Sequence, residues 1–188
     1  MGASQARHRH VCGPEGYGGE VDAPFDTLMA SLDPPLVVVT TAAEGTLAGC
    51  VVGFHSQSSI DAEGYSFWLS KANHTYRTSL RSGHFAVHFL AEHDLALAER
   101  FGTQSGEDVD KFDGLDVDLD EHGVPMIRDC PRQILLDRVA VLDEGGDHVC
   151  ITTRVRAAEA DGPFTPLRLS QADHLDPGHA AEERAVSP

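Results

Sequence analysis

Short β-branched and apolar runs, each closed by a turn, are the feature that most constrains the fold of this chain. Residues Leu36–Thr41 read LVVVTT, which is typical of a buried strand. Glu44-Gly45 predicts a hairpin turn, and Leu47–Phe54 returns as the partner strand. Further strands are predicted, in chain order, at Tyr65–Leu69, Phe85–Leu90, Gln133–Leu142 and His148–Arg156. This succession predicts a mainly β fold, a closed or nearly closed Greek-key-like barrel.

A few short helices are predicted between these strands. Phe25–Leu32 is amphipathic and is stopped by the prolines that follow it. Asn73–Ser82 begins with a good N-cap residue. Asp94–Phe101 carries apolar residues three apart and is followed by Gly102. The helices are expected to cover the barrel rather than to form a layer of their own.

The length of 188 residues suits one domain with tails. Residues 1–22 lack an apolar period, and residues 170–188 are polar with a turn signal at Asp176-Pro177-Gly178. Both segments are predicted to be disordered, which leaves a domain over residues 23–169. His8, His10 and Cys12 in the first segment suit an adventitious metal contact, and no functional metal site is predicted.

Charge and composition exclude several function classes. Lys and Arg total 14 against 30 Asp and Glu, a formal net charge of −16 that repels nucleic-acid phosphates and anionic lipids. No apolar run approaches the length of a membrane helix, and the N-terminus lacks a signal-peptide core. The four cysteines form no C-x-x-C pair and are interpreted as buried free thiols. We therefore expect a cytoplasmic protein with no nucleic-acid or membrane partner.

Common cofactor and catalytic motifs are absent from the sequence. It contains no G-x-G-x-x-G after a strand, no P-loop, no H-E-x-x-H and no G-x-S-x-G. Residues Asp116–Asp120 resemble the start of a calcium loop, but Glu121 and Ile127 stand where glycine and glutamate are needed. The alternation there favours a strand or hairpin with one acidic face.

Residues 70–75 form a candidate phosphate site. The segment lies where a strand meets a helix, where a helix dipole and a lysine charge favour an anion. Its hydroxyls, amide and ammonium supply hydrogen-bond donors. The alternative is an ordinary capped helix with a surface lysine. The candidate residues are Ser70, Lys71, Asn73, His74 and Thr75.

Two further segments carry candidate functional residues. His148 opens a strand after a tight turn, where Asp147 can orient its imidazole, although a histidine in such a place is more often structural. Residues Gly49–Ser59 begin as a strand and end as a polar loop, whose small residues leave room for a flat ligand. The alternative for this loop is a plain hairpin exit. Its candidate binding residues are Val51, Val52, Gly53, His55, Ser56, Gln57 and Ser59.

Together these segments resemble the flavin reductase-like family, whose fold is the FMN-binding split β-barrel. Leu36–Thr41 is similar to the family's "P-x-x-V-V-x-T-T" strand, and Gly49–Ser59 aligns with its flavin loop. Phe85–Leu90 with Leu97–Gly102 is similar to "F-A-V-N-x-L … L-A-x-x-F-G". The remaining matches, in family order, are Ser59-Ile60-Asp61, Ser70–Thr75, Asp110-Lys111-Phe112, Gly123-Val124-Pro125 and Gly146-Asp147-His148.

The resemblance implies an NAD(P)H-dependent flavin oxidoreductase, or the reductase partner of a two-component monooxygenase. FMN or FAD would be the flavin, and NADH or NADPH the co-substrate. The phosphate would be held around Lys71, Asn73, His74 and Thr75, and the ring would lie against Val51, Val52, Gly53 and the Ser56–Ser59 loop. His148 would face the nicotinamide. Family members are usually homodimers with the flavin near the subunit interface.

The flavin loop departs from the family pattern "G-x-T-x-N/S-S-F-x-S-x-S". The chain has Val51, Gly53 and Phe54 in place of hydrogen-bonding residues, and His55 and Gln57 are new. Each lost hydrogen bond is worth about 0.5–1.5 kcal/mol, so modest flavin affinity is predicted. The alternative function is a non-catalytic split-barrel module that holds a flavin, a deazaflavin or haem.

Overall fold

The computed structural model describes residues 24–176 of the chain. Helix α1 (Pro24–Leu32) confirms the first predicted helix and belongs to a unit that ends at Leu32, while a second unit begins at Asp33. Four apolar side chains of α1 are exposed: Phe25, Leu28, Met29 and Leu32. Within residues 24–176, no helix has the length and apolar character needed to cross a membrane.

The second unit is built on a seven-stranded antiparallel sheet with the order β2-β1-β5-β8-β9-β4-β3. A separate two-stranded hairpin pairs β6 with β7. The strands are β1 (Val37–Ala43), β2 (Thr46–Val52), β3 (His55–Gln57), β4 (Gly64–Ser70), β5 (His84–Phe89), β6 (Val117–Leu119), β7 (Pro125–Ile127), β8 (Gln133–Leu142) and β9 (His148–Glu159).

The mainly β fold class is confirmed, and the sheet curls into a half-barrel. Its edge strands β2 and β3 follow each other in the chain but do not pair, so the barrel is split rather than closed. The predicted turn between β1 and β2 has positive φ at Glu44 and Gly45, the geometry that suits a tight hairpin. The β-branched and aromatic residues thus form the strands where the pattern placed them.

One face of the curled sheet encloses a core to which all the long strands contribute. Phe67 of β4 and Phe85 of β5 are fully buried there, with ring centroids 5.2 Å apart in an edge-to-face arrangement. Cys50, Val52 and Ile151 belong to the same core. Burying this face is the main stabilisation of the half-barrel, because apolar burial contributes roughly 25 cal/mol per Å².

A second core lies on the opposite face of β1 and is covered by helix α3 (Leu95–Thr103). Phe101 of α3 packs against β2 at Gly49, where an added Cβ would lie only 2.8 Å from the aromatic ring. Glycine is therefore required at this position for α3 to approach the sheet. The predicted helix over Asp94–Phe101 is confirmed, with its end two residues later.

Helix α2 (His74–Ser79) is shorter than the predicted Asn73–Ser82. Asn73 is its N-cap, as predicted, with Oδ1 accepting the Thr75 N–H at 2.8 Å. The helix ends early because Ser79 and Ser82 donate side-chain hydrogen bonds to backbone carbonyls, of Tyr76 and His84 respectively. At six residues it presents a smaller dipole than the predicted helix.

Packing continues past the boundary predicted at residue 169. A 3₁₀ turn covers Leu169–Gln171, and Ala172 is buried in the second core. Asp33 accepts hydrogen bonds from the backbone N–H and the hydroxyl of Ser170 at 2.8 and 2.9 Å. The predicted tail over residues 1–22, and the part of the second tail and turn from residue 177 onward, lie outside the described residues.

Candidate functional site

Strands β4 and β9 bring together two segments that were predicted separately. Ser70 at the end of β4 pairs with His148 at the start of β9. The backbone N–H of Lys71 donates to the carbonyl of Asp147 at 2.9 Å. We call this meeting of residues 70–71 with residues 147–148 the β4–β9 junction. The junction places Lys71 and His148, which are 77 positions apart in the sequence, at neighbouring strand ends.

His148 is half-buried at the junction. Its Nδ1 lies 3.2 Å from Asp147 Oδ1, and its ring meets the Phe54 ring edge-on with centroids 5.3 Å apart. The hydrogen bond from His148 lowers the pKa of Asp147. A donated Nδ1–H leaves Nε2 as the free ring nitrogen, since no described residue bonds to it. The predicted orienting role of Asp147 therefore has a matching geometry.

The Lys71 ammonium is not free. Its Nζ lies 2.8 Å from Oδ1 of Asp143, in the turn between β8 and β9. The same Oδ1 accepts the Gly145 N–H at 2.8 Å. The hydrogen bond from Lys71 lowers the pKa of Asp143. Any anion that contacts Lys71 must therefore share it with, or take it from, a carboxylate.

Two of the other predicted phosphate residues, Ser70 and Asn73, have hydrogen-bond partners within the fold. Ser70 Oγ accepts the Ala72 N–H at 3.3 Å, and Asn73 caps α2. Thr75 is buried, and its hydroxyl finds no oxygen or nitrogen partner among the described residues. Burial lowers the pKa of His74, which lies beside Gly106. Of the five, Lys71 and Ser70 are the residues that belong to the β4–β9 junction.

In the predicted flavin loop, the valines belong to the two cores. Val52 is buried in the half-barrel core, and Val51 packs against the second core. Gly53 faces Leu36, and an added Cβ there would lie 3.6 Å from the Leu36 side chain, an ordinary van der Waals contact. The side chains of Val51 and Val52 therefore pack in the cores. A ligand at this strand end would contact the backbone or the exposed Phe54 instead.

His55 at the start of edge strand β3 has both ring nitrogens engaged. Nδ1 lies 2.6 Å from the Tyr65 hydroxyl, and Nε2 lies 2.9 Å from the Pro35 carbonyl. These distances suit a neutral ring in which Nε2–H donates and Nδ1 accepts, and burial lowers the pKa of His55. His55 thus holds β3 to the sheet, a role that its loop position did not indicate.

The remaining loop residues form short-range hydrogen bonds at the surface. Ser56 Oγ donates to the Gln57 carbonyl at 3.1 Å, and Gln57 Nε2 donates to the Ser59 carbonyl at 3.2 Å. Ser59 Oγ accepts the Ala62 N–H at 3.3 Å. Ser56 and Gln57 are exposed, so a ligand can compete for these donors.

Sequence reasoning missed two features near the β4–β9 junction. Asp143 was not singled out from the sequence, because its partner Lys71 is 72 residues away. An apolar row was missed as well: the exposed Trp68 and Leu142 lie opposite the half-buried Cys150, on β4, β8 and β9. The row becomes visible only from the strand register, because these residues lie side by side only once the strand pairing is known.

A groove of about 470 Å³ lies elsewhere on the second unit, lined by Gly45 and by residues 47–49 and 106–112. None of the predicted flavin-binding residues lines it. Lys111 at its base is buried and donates to the carbonyls of Gly49 and Phe101 at 3.2 and 3.0 Å. Burial lowers the pKa of Lys111. These bonds anchor the loop after α3 to β2.

Among residues 24–176, no three His, Cys, Asp or Glu side chains group as a metal ion requires. His8, His10 and Cys12 lie outside the described residues. The described cysteines, Cys50, Cys130 and Cys150, are free thiols.

Comparison with known proteins identifies a matching family. Residues 29–173 match the family model described as the flavin reductase like domain. The chain is 31% identical over 157 residues to the FMN reductase (NADH) SmoA of Agrobacterium fabrum, covering 82% of this chain and 85% of that protein. It is 28% identical to the flavin-dependent monooxygenase reductase subunit HsaB of Rhodococcus jostii, covering 76% and 71%.

A solved structure has a similar fold. Nitrilotriacetate monooxygenase component B of Mycobacterium thermoresistibile superposes with a TM-score of 0.65 at 26% identity, covering 72% of this chain and 74% of that chain.

Proposed function

The chain belongs to the flavin reductase-like domain family, and on that premise we propose that it is an NAD(P)H-dependent flavin oxidoreductase acting on FMN or FAD. The observation that carries the proposal is the β4–β9 junction, where Lys71 and His148 lie on paired strand ends. Relatives named as an FMN reductase (NADH) and as a monooxygenase reductase subunit support the same reaction class.

The residues of the junction suit a flavin. Lys71 supplies a cation for a phosphate, and Ser70 supplies a hydroxyl beside it. Exposed Phe54 and Trp68 supply flat apolar surface near His148. A bound flavin supplies the hydride acceptor, and the protein has to orient two flat rings and exclude side reactions.

His148 has a positioning role in this proposal. With Nδ1–H held by Asp147, the free Nε2 is an acceptor, and protonation of the ring makes it a donor. In either form Nε2 can hydrogen-bond the carboxamide of a nicotinamide, and the protonated ring can also contact a cofactor phosphate. No acid–base dyad is required, because the hydride passes directly between the two rings.

A homodimer is part of the proposal. Trp68 and Leu142 are 37% and 50% exposed, and they flank Cys150 across three strands. A second copy of the chain covering this row would bury apolar surface next to His148 and shelter the flavin. Sedimentation velocity at micromolar concentration should give a dimer, and Trp68→Lys should shift it toward monomer.

Reduced flavin that leaves this protein would serve a flavin-dependent monooxygenase, the partner named for one relative. A cytoplasmic location is proposed as well, and the free thiols of the three cysteines within residues 24–176 support a reducing compartment.

Flavin binding and turnover are tested on the purified chain. Fluorescence titration with FMN and with FAD should give saturable binding well below millimolar concentration, the level that corresponds to about −4 kcal/mol. NADH or NADPH should then bleach the flavin absorbance. Failure of both flavins to bind would remove the assignment. Binding without bleaching would favour the non-catalytic module. The supporting observation for that module is that His55 and Gln57 of β3 already form hydrogen bonds within the protein.

A further inference from the structure

The turn between β8 and β9 is tied to Lys71 at two points. The Lys71 ammonium contacts Asp143 at 2.8 Å, and the Lys71 backbone N–H donates to the Asp147 carbonyl at 2.9 Å. Asp143 also organises the turn itself through the Gly145 N–H at 2.8 Å. The side chains of Lys71 and Asp143 are 24% and 46% exposed, so the pair is accessible to a ligand.

The turn that contacts Lys71 is mostly acidic: it carries Asp143, Glu144 and Asp147, and His148 is its basic side chain. Arg77, which donates to the Ala72 carbonyl at 3.0 Å, is itself paired with Glu107. A phosphate that approaches Lys71 therefore meets an ammonium already neutralised by a carboxylate. Two anions on one ammonium repel each other, since like charges within about 4–6 Å disfavour both charged forms.

We propose that Asp143 is a specificity-determining residue that competes with the flavin phosphate for the Lys71 ammonium. This inference rests on the proposed function and concerns the same site. A phosphate contact gains only the difference between its own bond to Lys71 and the Asp143 bond that it displaces. The competition reduces the preference for phosphorylated flavins over riboflavin.

The competition also links flavin binding to the turn that carries His148. When a phosphate takes Lys71, the Asp143 carboxylate loses its side-chain partner, while the backbone bond from Lys71 to Asp147 stays. The turn then keeps the backbone hydrogen bond to Lys71 and loses the ion pair. Flavins without a phosphate leave both contacts in place.

Asp143→Asn tests the proposal, because the amide oxygen still accepts the Gly145 N–H while the competing charge is removed. Titrations of wild type and variant with FMN and with riboflavin should show about tenfold tighter FMN binding in Asp143→Asn, the lower end of what a charge-assisted phosphate bond contributes. Riboflavin affinity should change by less than about threefold on the same scale. Glu144→Gln is the matched control, since it removes the same charge from the neighbouring turn residue and should leave both affinities within about threefold.

A Lys71→Ala background separates competition from simple repulsion. There Asp143→Asn should tighten FMN by less than about threefold, because no ammonium remains to be released. Equal tightening in both backgrounds would overturn the competition, as would an unchanged FMN-to-riboflavin ratio in Asp143→Asn. If wild type bound neither FMN nor FAD, the proposed function would fail and this inference with it. If wild type bound FMN but the FMN-to-riboflavin ratio did not move in Asp143→Asn, the function would stand and the inference would fail.

Discussion

Edge strand β3 and the β4–β9 junction were both predicted to bind flavin, and they use their polar groups differently. In β3, His55 is bonded to Tyr65 and Pro35, and Gln57 is bonded to a carbonyl two residues away. At the junction, Lys71 and His148 are half-buried and are held by carboxylates that a ligand can displace or complement. The comparison teaches that a polar residue type does not show whether its hydrogen-bonding capacity is already used by the fold.

The strongest expected effect comes from a histidine that is fully buried in the fold. His88 on β5 is fully buried, its Nε2 lies 3.3 Å from Thr40 Oγ1, and burial lowers its pKa from 6.5 to about 4. Above pH 6.5 the ring is neutral in both states. As pH falls from 6.5 to about 4, the unfolded chain takes up the proton first, so up to about 3 kcal/mol of stability is lost.

Urea unfolding of wild type and His88→Asn at pH 7.5 and 4.5 measures this loss. The variant should show a flatter dependence of unfolding free energy on pH, whatever its stability at pH 7.5. Parallel curves of unfolding free energy against pH for the two proteins would show that His88 takes up its proton in the folded state as readily as in the unfolded state. His88 would then no longer contrast with His148 in its effect on stability.

His148 should show the opposite behaviour, with a large effect on activity and a small effect on stability. His148→Ala should slow NAD(P)H-driven flavin reduction at least about tenfold, since misplacing reacting groups by about 1 Å costs roughly 100-fold. Flavin affinity should change by less than about 1 kcal/mol, and reduction by dithionite should be normal. Asp147→Asn should give a smaller loss.

Stopped-flow bleaching of the flavin separates these outcomes. A His148→Ala variant that reacts like wild type would make His148 structural. A variant that loses flavin together with activity would place His148 in the flavin site itself.

His55→Phe should act mainly on stability. Phenylalanine is the residue of the family loop at this position, but here it would leave the Tyr65 hydroxyl and the Pro35 carbonyl without their partner. The expected loss is about 1–2 kcal/mol in unfolding free energy. Adding Tyr65→Phe should recover part of it, because both members of the polar pair are then apolar. A loss of flavin affinity with unchanged stability would instead make His55 a ligand contact.

The smallest expected effect is that of Gln57→Ala. Gln57 is exposed, so unfolding free energy should change by less than about 0.5 kcal/mol. Flavin affinity should fall about threefold if the amide gives up its bond to Ser59 for the ligand. Ser56→Ala, at the neighbouring exposed position, is the matched comparison. Unchanged affinity in both variants would confine flavin binding to the β4–β9 junction.

Local sequence signals predicted the elements of this fold closely. Strand β8 begins and ends at the predicted residues Gln133 and Leu142, and Asn73 caps its helix as predicted. These features depend on residues near one another in the chain. The early end of α2 also had a local cause, in Ser79 and Ser82, but serine is common in helices and its competing hydrogen bonds depend on side-chain rotamers.

The sequence by itself determined the strands, the turns and the segments in which functional residues are found, because β-branched runs and turn residues act over a few positions. Tertiary structure alone decided which side chains in those segments are available. The burial of Val52, the two hydrogen bonds of His55 and the Lys71–Asp143 ion pair each depend on strand register between residues far apart in sequence. Local patterns and turns constrain the register of each hairpin, but the pairing of strands far apart in the chain depends on the packing of the whole sheet.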